Sequence, residues 1–397
     1  MDYKALWEEY EAFKARGLKL DMSRGKPSPE QLDLSLDALT IADYIDDTGV
    51  DARNYGNLEG LPEARRFFAE LQDVELDECI VCGNSSLELM FHLVTLSARQ
   101  NAQLPVRKWL CPVPGYDRHF NVTEKLGFEM LNVAMTESGP DMDEVERLAA
   151  DPAVCGIWCV PTYSNPDGYV YSDATVQRLA ALTAANPNFT IIWDDAYKVH
   201  HLTETAFTVA NMLKACKAAG NPDRAVMLCS TSKITFAGAG VAALAASSAN
   251  VKRILAYLAD MIITFDKLNQ LRTVRFLKSQ GGLEAHMRKH ASIVRPKFDA
   301  VAEIFEQEFR ECPGIAYWSS PAGGYFISLY TQRGRAKRTV QLCKDAGVTL
   351  TAAGAAFPYG IDAQDYHIRV APTYPSVEEL REAAHLLALC VKLSSQP

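Results

Sequence analysis

A chain of 397 residues, 48% hydrophobic and 22% charged, has room for one large domain with a smaller companion and the balance of an ordinary globular protein. Its formal net charge of -9 comes without a basic run, which argues against a nucleic-acid partner. No uninterrupted apolar stretch would cross a bilayer. The opening "MDYKALWEEYEAFKARG" is a charged amphipathic helix without the apolar centre of a secretory signal, so a cytoplasmic location is expected.

After that helix comes the loop "MSRGKPSPEQ", and residues 1–48 are expected to form an N-terminal segment that packs with the C-terminal part of the chain. From about residue 55 to 245 apolar runs alternate with helical patterns. The runs are "CIVCG" (79–83), "KWLCPV" (108–113), "FEMLNVAM" (128–135), "VCGIWCVP" (154–161), "FTIIWDD" (189–195) and "RAVMLCS" (224–230). They are continuously apolar, as expected of strands covered on both faces. Segments such as "SSLELMFHLVTLSARQ" and "SDATVQRLAALTAAN" separate them with helical patterns. The alternation predicts an α/β fold, a mostly parallel doubly wound sheet in a large domain over residues 49–285. A long helical region, 249 to 311, leads into "YWSSPAGGYFISLYT", "GVTLTAAGAAFP", "HIRVAPTY" and a helix from Ser376. These short strands between helices predict a smaller α+β domain over residues 286–397.

Ten cysteines raise the question of metal. Cys79 and Cys82, and Cys155 and Cys159, lie in strand-like runs. Side chains three apart on a strand point to opposite faces, so Cys79 and Cys82 are read as buried reduced thiols rather than zinc ligands. His286 and His290 are spaced i, i+4 without an H-E-x-x-H motif, and a solvated helical face is expected there.

Ligands of parallel α/β sheets bind beyond the carboxyl ends of the strands. "CIVCG" ends in Gly83 and is followed by Asn84 and Ser85 at a helix start; after "KWLCPV" comes Tyr116; after "GIWCV" comes Asn165. The end of "TIIW" gives Asp194 and Tyr197, and "VMLCS" is followed by Lys233, with Ser230 and Ser232 beside it. One ligand uses all of these: pyridoxal 5'-phosphate needs a lysine for its aldehyde, an anion site for its phosphate and a carboxylate for its ring nitrogen. The helix start at Gly83–Ser85 suits the phosphate, Asp194 the pyridine nitrogen, Asn165 and Tyr197 the phenolate oxygen, and Tyr116 the ring face. A competing motif, G-x-G-x-x-A at Gly238–Ala243, matches a dinucleotide fingerprint. It begins eight residues after the strand, and close packing beneath the cofactor is the preferred account of its glycines.

With these residues in view, the chain resembles the fold-type I pyridoxal-phosphate enzymes of the class I/II aminotransferase superfamily. "YGNLEGLPEARRFFAEL" from Tyr55 is similar to the family's Tyr-x4-Gly-x3-Leu-Arg stretch. "NPDG" at Asn165, "DDAY" at Asp194, "STSK" at Ser230, "PAGGYF" at Pro321, "AGAAF" at Ala353 and "IRVA" at Ile368 follow in the family's order. The resemblance implies that Lys233 is the Schiff-base lysine, that Arg369 grips the substrate α-carboxylate, and that Tyr55 completes the site of a neighbouring subunit in a homodimer. One departure is Val241, where many members carry a phosphate-binding arginine eight residues after the lysine. Together with "LDMSRGKPSPEQLDLS" and "DKLNQLRTVRF", it makes the chain most similar to the subgroup Ic (MocR-like) aspartate aminotransferases.

The implied activity is ping-pong transfer of an amino group from an L-amino acid, aspartate foremost, to a 2-oxo acid, 2-oxoglutarate foremost. A dicarboxylic substrate needs a second cation, and Arg24 and Lys26 flanking Gly25, or Arg272, are the candidates. The same cofactor would serve a β-lyase or an aminotransferase for another amino acid. A ligand-sensing regulator is the reading from another class, but such regulators carry a DNA-binding domain ahead of this fold, and only about fifty residues precede Tyr55.

Overall fold

The computed structural model describes residues 1–279 and 281–396. The chain begins with α1 (Tyr3–Ala15), β1 (Leu20–Asp21) and α2 (Pro29–Asp33). Then come α3 (Pro62–Gln72), β2 (Cys79–Val81), α4 (Ser86–Gln100), β3 (Lys108–Val113), α5 (Asp117–Lys125), β4 (Glu129–Thr136) and β5 (Gly139–Pro140). α6 (Met142–Ala149), β6 (Val154–Cys159), α7 (Asp173–Ala181), β7 (Thr190–Asp194), α8 (Met212–Ala218), β8 (Ala225–Ser230) and β9 (Ala242–Ala246) complete the alternating part. Three helices follow, α9 (Ser248–Ala259), α10 (Lys267–Ser279) and α11 (Gly282–Phe309). The last elements are β10 (Ala316–Trp318), β11 (Ile327–Thr331), α12 (Ala336–Asp345), β12 (Val348–Thr349), β13 (His367–Val370) and α13 (Val377–Ser394).

The large sheet has the strand order β2-β9-β8-β7-β6-β3-β4-β5. β8, β7, β6, β3 and β4 run parallel. β9 is antiparallel to both β8 and β2, so β2 points the same way as the parallel set. Alternate residues of one strand enter opposite cores. Trp109 and Cys111 of β3 pack with Ile192 and Leu228, whereas Leu110 packs with Ile157 and Ile191. Burial on both faces explains why these strands carry no polar side. The same alternation separates the thiols: Cys79 packs with Val81 and α3's Phe68, and Cys82 lies in another core with Ile80.

β10, β11 and β13 form a small antiparallel sheet, and β1 pairs in parallel with β12, Leu20 opposite Val348. Tyr10 of α1, Phe305 of α11, Leu329 of β11 and Leu387 of α13 share one core there. His385 on α13 joins three helices, with Nε2 2.6 Å from Glu9 of α1 and Nδ1 3.0 Å from Glu308 of α11. Hydrogen bonding to Glu308 raises the His385 pKa to about 9. A histidine raised in this way stabilises the fold fully below its unfolded value near 6.5, and the contribution is lost as pH rises towards 9. The thermal midpoint is therefore expected to fall by about 2 °C across that window, and His385→Gln to flatten the slope in scanning calorimetry.

Four sequence expectations change. The helical region from 249 is three helices, broken near Ala259 and Gly282. "FEMLNVAM" is not covered on both faces: Glu129, Asn132 and Ala134 of β4 are exposed, because only the two-residue β5 lies beyond it. β9, an antiparallel strand, was not anticipated in "AALAA". His286 and His290 are buried rather than solvated, at 0% and 2% exposure. His286 Nε2 lies 2.8 Å from the Ile234 carbonyl and 3.1 Å from His290 Nε2, and His290 Nδ1 lies 3.1 Å from the Gln31 amide. Burial pushes both imidazoles down, His290 to about 4, so the pair packs as neutral rings between α11, the N-terminal segment and the Lys233 loop.

Candidate active site

The carboxyl ends of β3, β6, β7 and β8 and the start of α4 meet at one cavity of about 530 Å³. Lys233, Asp194, Tyr197, Tyr116 and Asn165 all line it, although up to 117 residues of sequence separate them. Loss of water pushes the Lys233 ammonium pKa down, with Asp194 opposing. Its Nζ lies over the rings of Tyr197, at 5.1 Å, and Tyr325, at 5.8 Å. Burial first, then the Asp194 charge, pushes Tyr116 up to about 12, and Tyr197 is raised as well. Both phenols are thus held as hydrogen-bond donors.

Asp194 is buried at the end of β7, and its Oδ2 accepts from His119 Nε2 at 3.1 Å. His119 stacks on Trp158 of β6, 4.2 Å between ring centroids with 3° between planes. The sequence reading missed His119, though a signal existed: it lies three residues after Tyr116, the N-cap of α5, and so on the same helical face. Asp195 next door is also buried, pairs with Lys198 at 3.7 Å, and lies outside the cavity wall.

At the start of α4, Ser85 caps the helix by accepting from the Glu88 N–H, and Ser86 and Leu87 of its first turn line the cavity. Gly83, Asn84 and Ser85 do not line it themselves. They abut the Lys233 loop instead: Ser232 Oγ donates to the Asn84 carbonyl at 3.2 Å and lies 2.8 Å from Ser230 Oγ. A Cβ on Gly240 would meet Ser232 Oγ at 2.7 Å, so this glycine is fixed by close packing. The Gly238–Ala243 stretch runs into β9 rather than a helix, which removes the dinucleotide context. Val241 is buried in the core with Cys79, Val81 and Leu271.

The other end of the cavity is cationic. Arg24, Gly25, Lys26, Arg118 and Arg369 line it. A Cβ on Gly25 would lie 2.4 Å from the Phe326 ring, and the Arg369 guanidinium covers the same ring at 5.0 Å. Arg369 Nη1 donates to Asp117 Oδ1 at 2.9 Å and to Asn165 Oδ1 at 3.5 Å. Its Nη2 donates to Thr351 Oγ1 at 3.4 Å. Asp117, Arg118 and Thr351 were not anticipated. Two candidates lie apart from this cavity in the single chain. Arg272 donates to Asn269 within α10, and Tyr55 is 75% exposed on a loop held by Lys267.

These residues fit pyridoxal 5'-phosphate. Among the described residues, Asp194 Oδ1 is buried without a hydrogen-bond partner, an orphan acceptor that a protonated ring nitrogen would satisfy. The first turn of α4 offers the amides and dipole that suit a phosphate. A mostly parallel sheet with lysine, aspartate and tyrosine at its strand ends, facing an arginine from the small sheet, is the arrangement of the fold-type I pyridoxal-phosphate aminotransferases, and pyridoxal phosphate is the cofactor of this class.

Comparison with known proteins agrees. The aspartate amino-transferase family model matches residues 3–397, and the chain belongs to that family. An aspartate aminotransferase of Corynebacterium glutamicum is 42% identical over 98% of this chain and 92% of its own. A crystal structure of an aspartate transaminase from that organism superposes with a TM-score of 0.96 at 41% identity, covering 99% of this chain and 95% of that one. An α-aminoadipate aminotransferase of Thermus thermophilus, solved with N-(5'-phosphopyridoxyl)-L-leucine, shares the fold at 21% identity, TM-score 0.78, over 96% and 94% of the two chains. Among the described residues no helix is long and apolar enough to cross a membrane.

Proposed function

We propose that this aminotransferase takes L-aspartate as amino donor and 2-oxoglutarate as acceptor in a ping-pong reaction. The observation that carries the substrate assignment is the charge of the cavity wall, where Arg24, Lys26, Arg118 and Arg369 outnumber Asp117 and Asp194. A substrate with two carboxylates suits that surplus, and the name of the Corynebacterium relative supports it. When bound, pyridoxal 5'-phosphate supplies an aldehyde for the amino group and a ring that accepts the electron pair left by the Cα–H bond.

Lys233 carries the proton between the substrate Cα and the cofactor C4', a task for an amine whose pKa is lowered by burial. Asp194, oriented by His119, keeps the ring nitrogen protonated. Asn165 and Tyr197 would donate to the phenolate oxygen, and Tyr116 would cover the ring. The first turn of α4, where Ser86 and Leu87 line the cavity, would hold the phosphate. Gly83, Asn84, Ser85, Ser230 and Ser232 would support it from the adjoining contact between that turn and the Lys233 loop. Arg369 takes the α-carboxylate through parallel charge-assisted hydrogen bonds, and Arg24 or Lys26 around Gly25 takes the distal one. Residues 1–48 and 286–397 would act as one small unit against the cofactor-binding domain, 49–285.

Tyr55 belongs, in this reading, to the site of a second subunit. Its exposure, beside the exposed apolar residues Met261 and Ile263, supports a dimer surface there, and Thr264 Oγ1 donates to the Gly56 carbonyl in the same patch. The ten free thiols fit a reducing compartment such as the cytoplasm.

The purified protein is expected to be yellow, to bleach with L-aspartate and to regain its colour with 2-oxoglutarate. Colour that responds only to other amino acids would remove the aspartate assignment, and release of ammonia with the 2-oxo acid would indicate β-elimination. In sedimentation the active species is expected at twice the chain mass of 43.8 kDa. An active single chain would remove Tyr55 from its assigned role.

A further inference from the structure

The Asp117 carboxylate lies between two guanidinium groups. Oδ1 accepts from Arg369 Nη1 at 2.9 Å, and Oδ2 lies 4.0 Å from Arg118 Nε. The two contacts differ in strength. The Arg369 side chain is 8% exposed and directly hydrogen-bonded, whereas the Arg118 side chain is 49% exposed and at the limit of an ion pair. Among the described residues, Arg369 Nε is buried with no partner, so the guanidinium is only partly satisfied by its present neighbours. A carboxylate from outside would therefore find an arginine held by a single close, charged acceptor on the protein itself.

We propose that Asp117 is an internal stand-in for the substrate carboxylate, and that Arg118 receives it when a substrate takes Arg369. The inference rests on the reading of Arg369 as the α-carboxylate site. Leaving Arg369 bare would strand a buried cation in the absence of substrate, a state that proteins avoid by pairing or hydrogen bonding. Asp117 supplies the pairing. It stands at the first position of α5, where the helix amides favour a negative charge, so it remains stabilised whichever arginine it faces. Arg118, the next residue, needs only a side-chain rotation to turn a 4.0 Å approach into a direct pair. The exchange leaves no charge unpaired: one arginine–carboxylate pair opens as two close, one to substrate and one between neighbours in sequence. Asp117 is thus a positioning and specificity residue, setting how strongly an incoming carboxylate must bind to displace it.

The test is calorimetric titration of the cofactor-loaded protein with maleate and with propionate, unreactive carriers of two carboxylates and of one. Asp117→Asn keeps a helix-starting residue and removes the competitor, and is expected to tighten both probes about tenfold. Asp117→Ser, which also starts helices, serves if the first variant fails to fold, with the same tightening expected. Arg118→Gln is expected to weaken propionate severalfold with Asp117 present and to have no effect on propionate in the Asp117→Asn background. Unchanged or weaker binding in both Asp117 variants, with binding still abolished by Arg369→Gln, overturns the inference alone. Binding that survives Arg369→Gln overturns the reading of Arg369, and the stand-in role with it. An Arg118 effect on propionate that persists without Asp117 would show that Arg118 contacts the probe directly and removes it as the receiving group.

Discussion

Lys233→Ala is expected to lose about ten-thousand-fold in kcat, the upper range for removing a positioned proton carrier. Lys233→Arg is expected to do no better. Arginine keeps the charge and much of the length, but it does not give up its proton in a protein, so it cannot take one from a substrate Cα. The lysine amine can, because desolvation in the cavity lowers its pKa and enlarges the neutral fraction. The rings of Tyr197 and Tyr325 confine the side chain, which favours one line of approach. Single-turnover absorbance with L-aspartate separates this loss from a loss of binding. Both variants should still take up the cofactor through the phosphate and ring contacts, yet fail to convert the amino acid. Turnover by Lys233→Arg within tenfold of the native protein would mean that another group moves the proton.

Much of this site was legible in the sequence because its parts sit at the ends of strands sealed on both faces. Those strands have no polar side, so "TIIW" and "VMLCS" announced themselves, and Asp194 and Lys233 stood out as the first charged residues beyond them. β9 did not stand out, because "AALAA" is built from small residues that favour helices, and only its pairing with β8 and β2 makes it a strand. The buried imidazoles were hidden for a related reason. His290 is satisfied by Gln31, 259 residues away, and no local pattern records such a partner. Asp117 and Arg118 carry no local pattern that marks them, and it is Arg369, 252 residues on from Asp117, that gives them a site. Arg272 is not placed at the cavity by a single chain: its Nε donates to Asn269 one helical turn away.

Asp194→Asn is expected to reduce kcat/KM by roughly 10²–10³-fold, the range found when one preorganised electrostatic partner is removed from a developing charge. The substitution is nearly isosteric, so the contact with His119, itself stacked on Trp158, should survive and the loss should be electrostatic in origin. Asp194 is placed for that role by two features. One carboxylate oxygen is engaged by His119, while the other is buried without a partner among the described residues. Burial without a partner costs folding free energy, and the cost is offset once a cationic ring nitrogen meets that oxygen. Cofactor affinity, read by titrating cofactor-free protein and following its visible band, should therefore weaken in Asp194→Asn along with catalysis. His119→Asn should weaken both far less, since the stacked imidazole orients the carboxylate and does not meet the ring itself. If Asp194→Asn instead bound the cofactor normally and kept kcat/KM within tenfold, the orphan oxygen would be a feature of packing alone, and the ring nitrogen would have to be sought elsewhere in the cavity.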